Sequence, residues 1–245
     1  MISGVLAAAS FVVGALIGAV GIGGILLIPA LVIIAALPIH AASATALFTF
    51  IFTGALSTLM FARRGSIDWT ASLVVSAGAL AFSFLGAYVN SLVAAPVLDR
   101  IIGAVIALAG VNVLVQLRRF AVVDSASPRW PLLLAVGAVA GFGSGLTGAG
   151  GPLFSVPIML TLGFAPLMTI GVSQVLQIAS ATMGTVANLA FGSIDFDVAA
   201  WVIPFELVGV AAGVSIAHWA NVTQLRHGAA FLCLVTGAFI LLRGG

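Results

Sequence analysis

The chain has 245 residues, of which 62% are apolar and only 6% are charged, whereas about 25% of the residues in an ordinary soluble domain are charged. Eight arginines, no lysine and six acidic residues cannot cover a water-exposed surface, and the mean hydropathy of +1.33 excludes a water-soluble globular protein. The net charge of +2 comes from scattered arginines that form no basic patch. We therefore expect the lipid bilayer as the environment and no nucleic-acid partner.

The predicted elements are membrane-embedded helices. Residues 1–62 and 130–194 contain no charged side chain, and 62 helical residues would extend about 93 Å, about three times the ~30 Å hydrocarbon thickness. Glycine and proline therefore divide each block. In the first half we predict helical segments at 3–20, 24–37, 41–62, 70–93 and 97–117. In the second half we predict 130–146, 152–163, 167–191, 198–218 and 223–242. Because a lipid-exposed backbone must satisfy its hydrogen bonds internally, the expected fold is an all-α polytopic transmembrane bundle.

The two halves are copies of one another. Gly-Ser-Ile-Asp at 65–68 recurs at 192–195, an offset of 127, and a glycine-rich motif at 18–24 recurs at 145–151. We predict a first repeat over 1–117, a cytoplasmic linker over 118–129 and a second repeat over 130–245. Each repeat would hold a broken helical hairpin followed by three transmembrane helices. An odd number of crossings per half predicts inverted repeats. The loop of the second copy that corresponds to Arg63 and Arg64 has no arginine, as the positive-inside rule predicts for a loop on the other side of the membrane.

The doubled glycine motif is the first candidate site. A broken backbone at membrane depth is tolerated only within protein or beside a water-filled cavity. The second arm of each hairpin begins at the break, where free N–H groups and the positive end of the helix dipole attract anions. The predicted binding glycines are Gly21, Gly23, Gly24, Gly148, Gly150 and Gly151. The outer glycines have a spacing that lets membrane helices pack closely, and we predict that role for Gly14, Gly18, Gly141, Gly145, Gly209 and Gly213.

Hydroxyl and amide side chains are frequent in the helix that follows each hairpin. Gln174 and Gln177 are three residues apart, so they share a helical face from which both amides could donate to an oxyanion. Hydrogen bonding between helices is the alternative explanation. The remaining predicted substrate-binding side chains are Ser43, Thr45 and Thr49 in the first copy and Ser173 in the second.

Glu206 is the one acidic residue in the middle of a predicted membrane segment, 198–218. A carboxyl group at that depth is costly and is a functional-site hypothesis by default. We predict that Glu206 carries a proton during transport; the alternative is a neutral acid that joins helices by hydrogen bonds. Its repeat counterpart is Ala79, so a coupling site would exist once.

Neither a catalytic centre nor a metal or cofactor site is predicted. The single cysteine, Cys233, lies in an apolar run. The chain has no lysine and therefore no phosphate-binding loop of the G-x-x-x-x-G-K-[ST] type. An intramembrane hydrolase would need a Ser/His pair, two carboxyl groups or a histidine-rich metal site within the membrane, and only Glu206 lies at that depth. We expect a protein that is not an enzyme.

The combined motifs resemble one known family. Two G-x-G-G motifs, each followed by a proline, a helix rich in serine and threonine and a GSID-like loop, are similar to the sulfite exporter TauE/SafE family of bacterial membrane transporters. The resemblance implies a multi-pass inner-membrane protein that moves sulfite, thiosulfate or organosulfonates such as sulfoacetate, with this small anion as its partner. An anion channel and a non-transporting structural subunit are the alternatives, and assembly into a homo-oligomer is left open.

Overall fold

The computed structural model describes residues 2–116 and 130–219, and within the C-terminal region positions 230, 231, 233–238, 240 and 242. These residues form helices and turns, with no strand among them, so the all-α fold class is confirmed. The first half contains α1 (Ile2–Val20), α2 (Leu27–Ile33), α3 (Ile39–Arg63), α4 (Trp69–Leu92) and α5 (Ala95–Gln116). The second half contains α6 (Trp130–Thr147), α7 (Pro152–Thr161), α8 (Pro166–Phe191) and α9 (Phe196–Trp219). The predicted linker 118–129 and the start of the segment 223–242 lie outside the described residues.

Five of the described helices are long and apolar enough to cross a bilayer, namely α3, α4, α6, α8 and α9. This number agrees with a multi-pass membrane protein. The second arms of the hairpins are much shorter. With seven residues in α2 and ten in α7, they extend about 10 Å and 15 Å, roughly a third and a half of the ~30 Å hydrocarbon thickness.

The second predicted segment, 24–37, is shorter in the structure than expected. It begins with a 3-10 turn, Gly24–Leu26, and its α-helix ends at Ile33. Ala36 then adopts a left-handed conformation with φ 55°. The Leu37 N–H donates to the Leu31 oxygen at 3.2 Å, which closes the end of the helix, and Pro38 keeps Leu37 itself out of the helical region.

The first helix of each half packs along the fourth helix of the other half, so α1 pairs with α9 and α6 with α4. A Cβ atom at Gly14 would lie 2.9 Å from the Glu206 Cα, and one at Gly141 would lie 2.7 Å from the Ala79 Cα. Ala79 and Glu206 are 127 residues apart, so the two contacts are repeat equivalents. The predicted packing role of the outer glycines is confirmed by these and equivalent backbone contacts of Gly18, Gly145, Gly209 and Gly213.

The central helices α3 and α8 run in opposite directions. Near the start of α3, the Thr45 hydroxyl accepts a hydrogen bond of 3.0 Å from the Asp195 N–H, which follows the end of α8. Near the start of α8, Gly171 lies against the backbone of Ser66, which follows the end of α3. Because α3 and α8 are equivalent elements of the two copies, their antiparallel packing is the arrangement that inverted repeats require.

Candidate functional site

The two glycine breaks meet inside the helical bundle. A Cβ at Gly24 would lie 2.8 Å from the Ala149 oxygen, so the first break lies against the second. Gly21, Gly148 and Gly150 have φ values of 79°, 74° and 82°, a conformation that glycine adopts without the steric cost a side chain brings. All the predicted binding glycines are buried. The sequence motif therefore forms a single buried junction built by both halves.

Several backbone N–H groups at this junction donate to no main-chain oxygen. Among the described residues, these are the N–H groups of Gly23, Gly150 and Gly151. The helix α7 begins directly after Gly151, with Pro152 in its first turn and without a side-chain cap. Buried N–H groups without partners are rare and carry partial positive charge. An arrangement of this kind can bind an anion without a charged side chain.

Two predicted polar side chains lie beside the second break. The Cα atom of Ser43 lies 2.6 Å from the position of a Cβ at Gly148, and the Ser43 hydroxyl has no hydrogen-bond partner among the described residues. The Gln177 Oε1 lies 3.8 Å from the position of a Cβ at Gly150. Through its Nε2, Gln177 donates to the Thr53 hydroxyl at 2.9 Å. Ser43 on α3 and Gln177 on α8 therefore approach the same break, one from each of the two central helices.

The other predicted polar residues have separate contacts. Gln174 donates to the main-chain oxygen of Ile17 at 3.3 Å, which connects α8 to the last turns of α1. The Ser173 and Ser155 hydroxyls are 2.8 Å apart, which connects α8 to α7. Thr45 contacts the turn before α9, as described above, rather than a glycine break. In this conformation the amides of Gln174 and Gln177 thus donate to protein oxygens and hold the helices around the junction together.

Phe50 was not among the sequence candidates, yet it contacts both breaks. Its buried ring lies 2.8 Å from the position of a Cβ at Gly24 and 3.3 Å from that at Gly150. A phenylalanine in a membrane helix gives no signal by composition. The signal that was available is its distance of 127 residues from Gln177, which makes it the repeat counterpart of a predicted site residue.

Glu206 is fully buried, and neither carboxyl oxygen has a hydrogen-bond partner among the described residues. It lies on α9 where Gly14 of α1 packs against its backbone. The Thr49 hydroxyl lies beside the carboxyl group, but it already donates its hydrogen to the Ala46 oxygen at 2.9 Å. In this conformation the Thr49 hydroxyl therefore leaves the carboxyl group without a hydrogen bond, which is costly for a buried charge.

A groove of about 510 Å³ lies between α4, α5, α6 and α7. Its walls include Phe82, Leu85, Phe142 and Phe154, and no polar surface is exposed in it. Such a lining suits hydrocarbon rather than a small anion. The groove is therefore separate in character from the buried glycine junction.

Comparison with known proteins agrees with these features. The sequence profile of the family described as "Sulfite exporter TauE/SafE" matches residues 6–240. The "Probable membrane transporter protein YdhB" of Bacillus subtilis is 25% identical over 238 residues, which cover 95% of this chain and 97% of that protein. "Probable membrane transporter protein YunE" of the same organism is 26% identical over 229 residues, covering 83% of each chain.

An archaeal relative extends this similarity. The "Probable membrane transporter protein MJ0441" of Methanocaldococcus jannaschii is 25% identical over 252 residues, which cover 95% of this chain and 92% of that protein. No solved structure matches the chain. Since the family profile spans nearly the whole sequence and the relatives match over similar lengths, the chain belongs to the sulfite exporter TauE/SafE family and is a multi-pass membrane transporter.

Proposed function

We propose that this protein is a secondary transporter of small sulfur-containing anions, such as sulfite, thiosulfate or organosulfonates like sulfoacetate, in the bacterial inner membrane. The observation that carries this proposal is the junction of the two glycine breaks. It combines the buried N–H groups of Gly23, Gly150 and Gly151, which donate to no main-chain oxygen, with the unpartnered hydroxyl of Ser43. These neutral groups can donate to an oxyanion, whereas the Gln177 amide already donates to Phe50 and Thr53 and supports the junction.

The absence of charge at the junction limits the kind of anion. Among the described residues, the arginines Arg63, Arg64 and Arg100 lie at or near helix ends rather than at the glycine breaks. Neutral donors hold an anion less strongly than a guanidinium group does. We therefore favour a small oxyanion that binds transiently and is released without breaking an ion pair.

Burial of the site supports a carrier rather than an open channel. The predicted glycines and their polar neighbours are all buried in this conformation. An anion can reach them only if helices move, and the two antiparallel halves provide a symmetric way to open first one side and then the other. Movement of the halves around the junction is thus the proposed basis of alternating access.

Glu206 is the proposed proton carrier. Both carboxyl oxygens are buried and have no hydrogen-bond partner among the described residues, so the protonated form is favoured over an ionised carboxylate there. Neutralisation and release of one proton would then accompany the movement of α9 against α1 and α3. This assignment makes a proton gradient the energy source of the transporter.

Binding and transport of a defined set of anions test the proposal. Purified protein would be scored for thermal stabilisation by sulfite, thiosulfate, sulfoacetate, taurine, sulfate and simple carboxylates, because a ligand that binds the native state raises its stability by mass action. Proteoliposome flux of the stabilising anion should saturate with concentration. Stabilisation by carboxylates alone would refute the substrate class, and fast flux that does not saturate would identify a channel.

Ser43→Ala tests the location of the site. It removes an unpartnered hydroxyl beside Gly148 and should weaken sulfite stabilisation. Ser10→Ala is the matched control, because Ser10 is equally buried but donates to the Leu6 oxygen within α1 at 2.8 Å. Equal sulfite stabilisation of both variants and the native protein would remove Ser43 from the site.

A further inference from the structure

The fourth helices of the two halves, α4 and α9, differ in the polarity of their buried faces. On α4 this face carries three serines and an asparagine. At the positions 127 residues later, α9 carries apolar side chains, and among the described residues Glu206, in place of Ala79, is the one buried polar side chain of α9. The polar positions of α4 and their counterparts are Ser72 and Ala199, Ser76 and Ile203, Ser83 and Val210, and Asn90 and Ala217. The two halves therefore share a backbone arrangement but differ in the polar side chains on the buried face of the fourth helix.

A buried serine of α4 and one of α6 both contact a buried serine of α8. Ser83 donates to the Ser180 main-chain oxygen at 2.5 Å, and the Ser144 hydroxyl donates to the Ser180 hydroxyl at 3.4 Å. All three are fully buried. We call Ser83, Ser144 and Ser180 the serine seam. It reaches the second glycine break, because the Ser180 hydroxyl lies 3.0 Å from the position of a Cβ at Gly151.

The first break has only one of the three equivalent hydroxyl groups. The positions that correspond to Ser83 and Ser144 in the other half are Val210 and Ile17, and only Ser180 has a hydroxyl counterpart, Thr53. A Cβ at Gly23 would meet Leu16 and the backbone of Ile17, and one at Gly24 would meet the Phe50 ring. The surroundings of the first break are thus mainly apolar.

Two buried hydroxyls near the seam and the second break have no hydrogen-bond partner among the described residues. Ser76 lies two helical turns before Ser83 on the same face of α4 and is 8% exposed. Ser43 is 2% exposed and lies against Gly148. Buried polar groups without partners are costly in a native protein, so each of them calls for an explanation. A polar ligand passing along this side of the bundle supplies one.

We propose that the anion binds at the second glycine break, on the serine seam, and that the first break is a structural counterpart that binds no substrate. The inference rests on the proposed function and narrows its donor set to Gly150 and Gly151, so that Gly23 shapes the junction without contacting the anion. In this conformation Ser83 and Ser180 donate to main-chain oxygens and Ser144 donates to the Ser180 hydroxyl, and each hydroxyl can rotate to donate to a ligand. The N–H groups of Gly150 and Gly151 complete the donor set. The α4 counterpart of Glu206 is Ala79, so the serine seam carries no carboxyl group of its own.

Serine-to-alanine variants in proteoliposomes test this inference, with sulfite as the probe. Ser83→Ala and Ser144→Ala each remove one seam hydroxyl from a different helix, and each should raise the KM for sulfite uptake about 2- to 10-fold, the effect of one neutral hydrogen bond. Ser10→Ala should leave the KM unchanged, because its hydroxyl bonds only within α1. Ser83→Thr, which keeps the hydroxyl, should restore affinity if Ser83→Ala weakens it.

Val210→Ala is the control for the other half. Val210 is the repeat counterpart of Ser83 and is fully buried, so its truncation should lower the melting temperature without changing the KM. Unchanged KM values in both serine variants, or an equal rise in Val210→Ala, would overturn the inference while leaving the transporter assignment intact. If the native protein neither takes up nor is stabilised by any sulfur anion, the proposed function fails, and the inference fails with it.

Discussion

Gln177 donates a hydrogen bond from its Nε2 to the main-chain oxygen of Phe50 at 3.2 Å, and the two residues are 127 positions apart. This is the offset that relates the two Gly-Ser-Ile-Asp loops. Equivalent points of two related copies meet only beside the axis that relates them. The contact between Phe50 on α3 and Gln177 on α8 therefore marks the pseudo-twofold axis, at the place where the glycine breaks also meet.

Gln177→Leu should reduce sulfite uptake more than Asn188→Leu does, even where the two variants lose similar amounts of thermal stability. The substitution keeps the approximate volume of the side chain but removes the hydrogen bonds to Phe50 and Thr53, a loss of about 1–3 kcal/mol when a buried partner is left unsatisfied. Sulfite uptake by proteoliposomes and melting temperature in detergent would be compared with Asn188→Leu. Asn188 is also buried on α8 but donates only to the Gly184 oxygen within its own helix. Equal losses of uptake in the two variants would contradict a special role of Gln177.

Gly148→Ala should be far more destabilising than Gly65→Ala, although both glycines have positive φ, 74° and 66°. The left-handed conformation alone costs an alanine about 1–2 kcal/mol. A Cβ at Gly148 would also lie 2.6 Å from the Ser43 Cα, whereas nothing lies within 4 Å of one at Gly65. Thermal unfolding in detergent measures the difference, and similar melting temperatures would mean that the junction is less tightly packed than the structure indicates.

The positions of the helices follow largely from local sequence. Predicted 167–191 corresponds to Pro166–Phe191 and predicted 130–146 to Trp130–Thr147, because glycine and proline interrupt long apolar stretches there. The early end of α2 at Ile33 was not predictable in the same way. It depends on Ala36 in a left-handed conformation, which a sequence pattern does not indicate for alanine.

The contacts within the site depend on tertiary packing more than the helix positions do. The sequence indicated which glycines break the helices and that Gln177 faces the protein interior, since these follow from composition and helical spacing. That Phe50 touches both breaks, and that Ser83 meets Ser180, depends on how α3, α4 and α8 pack. Helix periodicity gives the face on which a residue lies but not the helix that it contacts.

Gly14→Ala should separate α1 from α9, whereas Gly4→Ala should not. A Cβ at Gly14 would lie 2.8 Å from the Glu206 carbonyl carbon, so the backbones must move apart, while nothing lies within 4 Å of a Cβ at Gly4. Gly4→Ala also gains helix propensity of up to about 1 kcal/mol. We expect a lower melting temperature and reduced uptake only for Gly14→Ala, measured side by side in detergent and proteoliposomes. A stable, active Gly14→Ala variant would argue against close packing of these helices.

Glu206→Gln should abolish the pH dependence of thiosulfate uptake while the protein stays folded, because glutamine resembles the protonated carboxyl group but cannot release a proton. Thiosulfate, unlike sulfite, does not itself titrate near neutral pH. No ionisable side chain occurs on the described part of α1, and those of α3, His40, Arg63 and Arg64, lie at its ends. Among the described residues, Glu206 is thus the one titratable group in the middle of the contact between α9 and the helices α1 and α3. Asp197→Asn is the control, since Asp197 is an exposed acid in the first turn of the same helix. An unchanged pH profile in Glu206→Gln would exclude it as the proton carrier.

The two Gly-Ser-Ile-Asp loops should lie on opposite sides of the membrane. The antiparallel packing of α3 and α8 places the end of each beside the start of the other, and Arg63 and Arg64 should put the first loop in the cytoplasm by the positive-inside rule. Ser66→Cys and Ser193→Cys are repeat equivalents that can be made separately in a Cys233→Ala background, which removes the only native cysteine. In intact bacterial spheroplasts, a membrane-impermeant thiol reagent should label only the Ser193→Cys protein, and detergent should expose both. If intact spheroplasts labelled the Ser66→Cys and Ser193→Cys proteins alike, the repeats would be parallel rather than inverted. The proposed symmetric opening of the two halves would then be wrong.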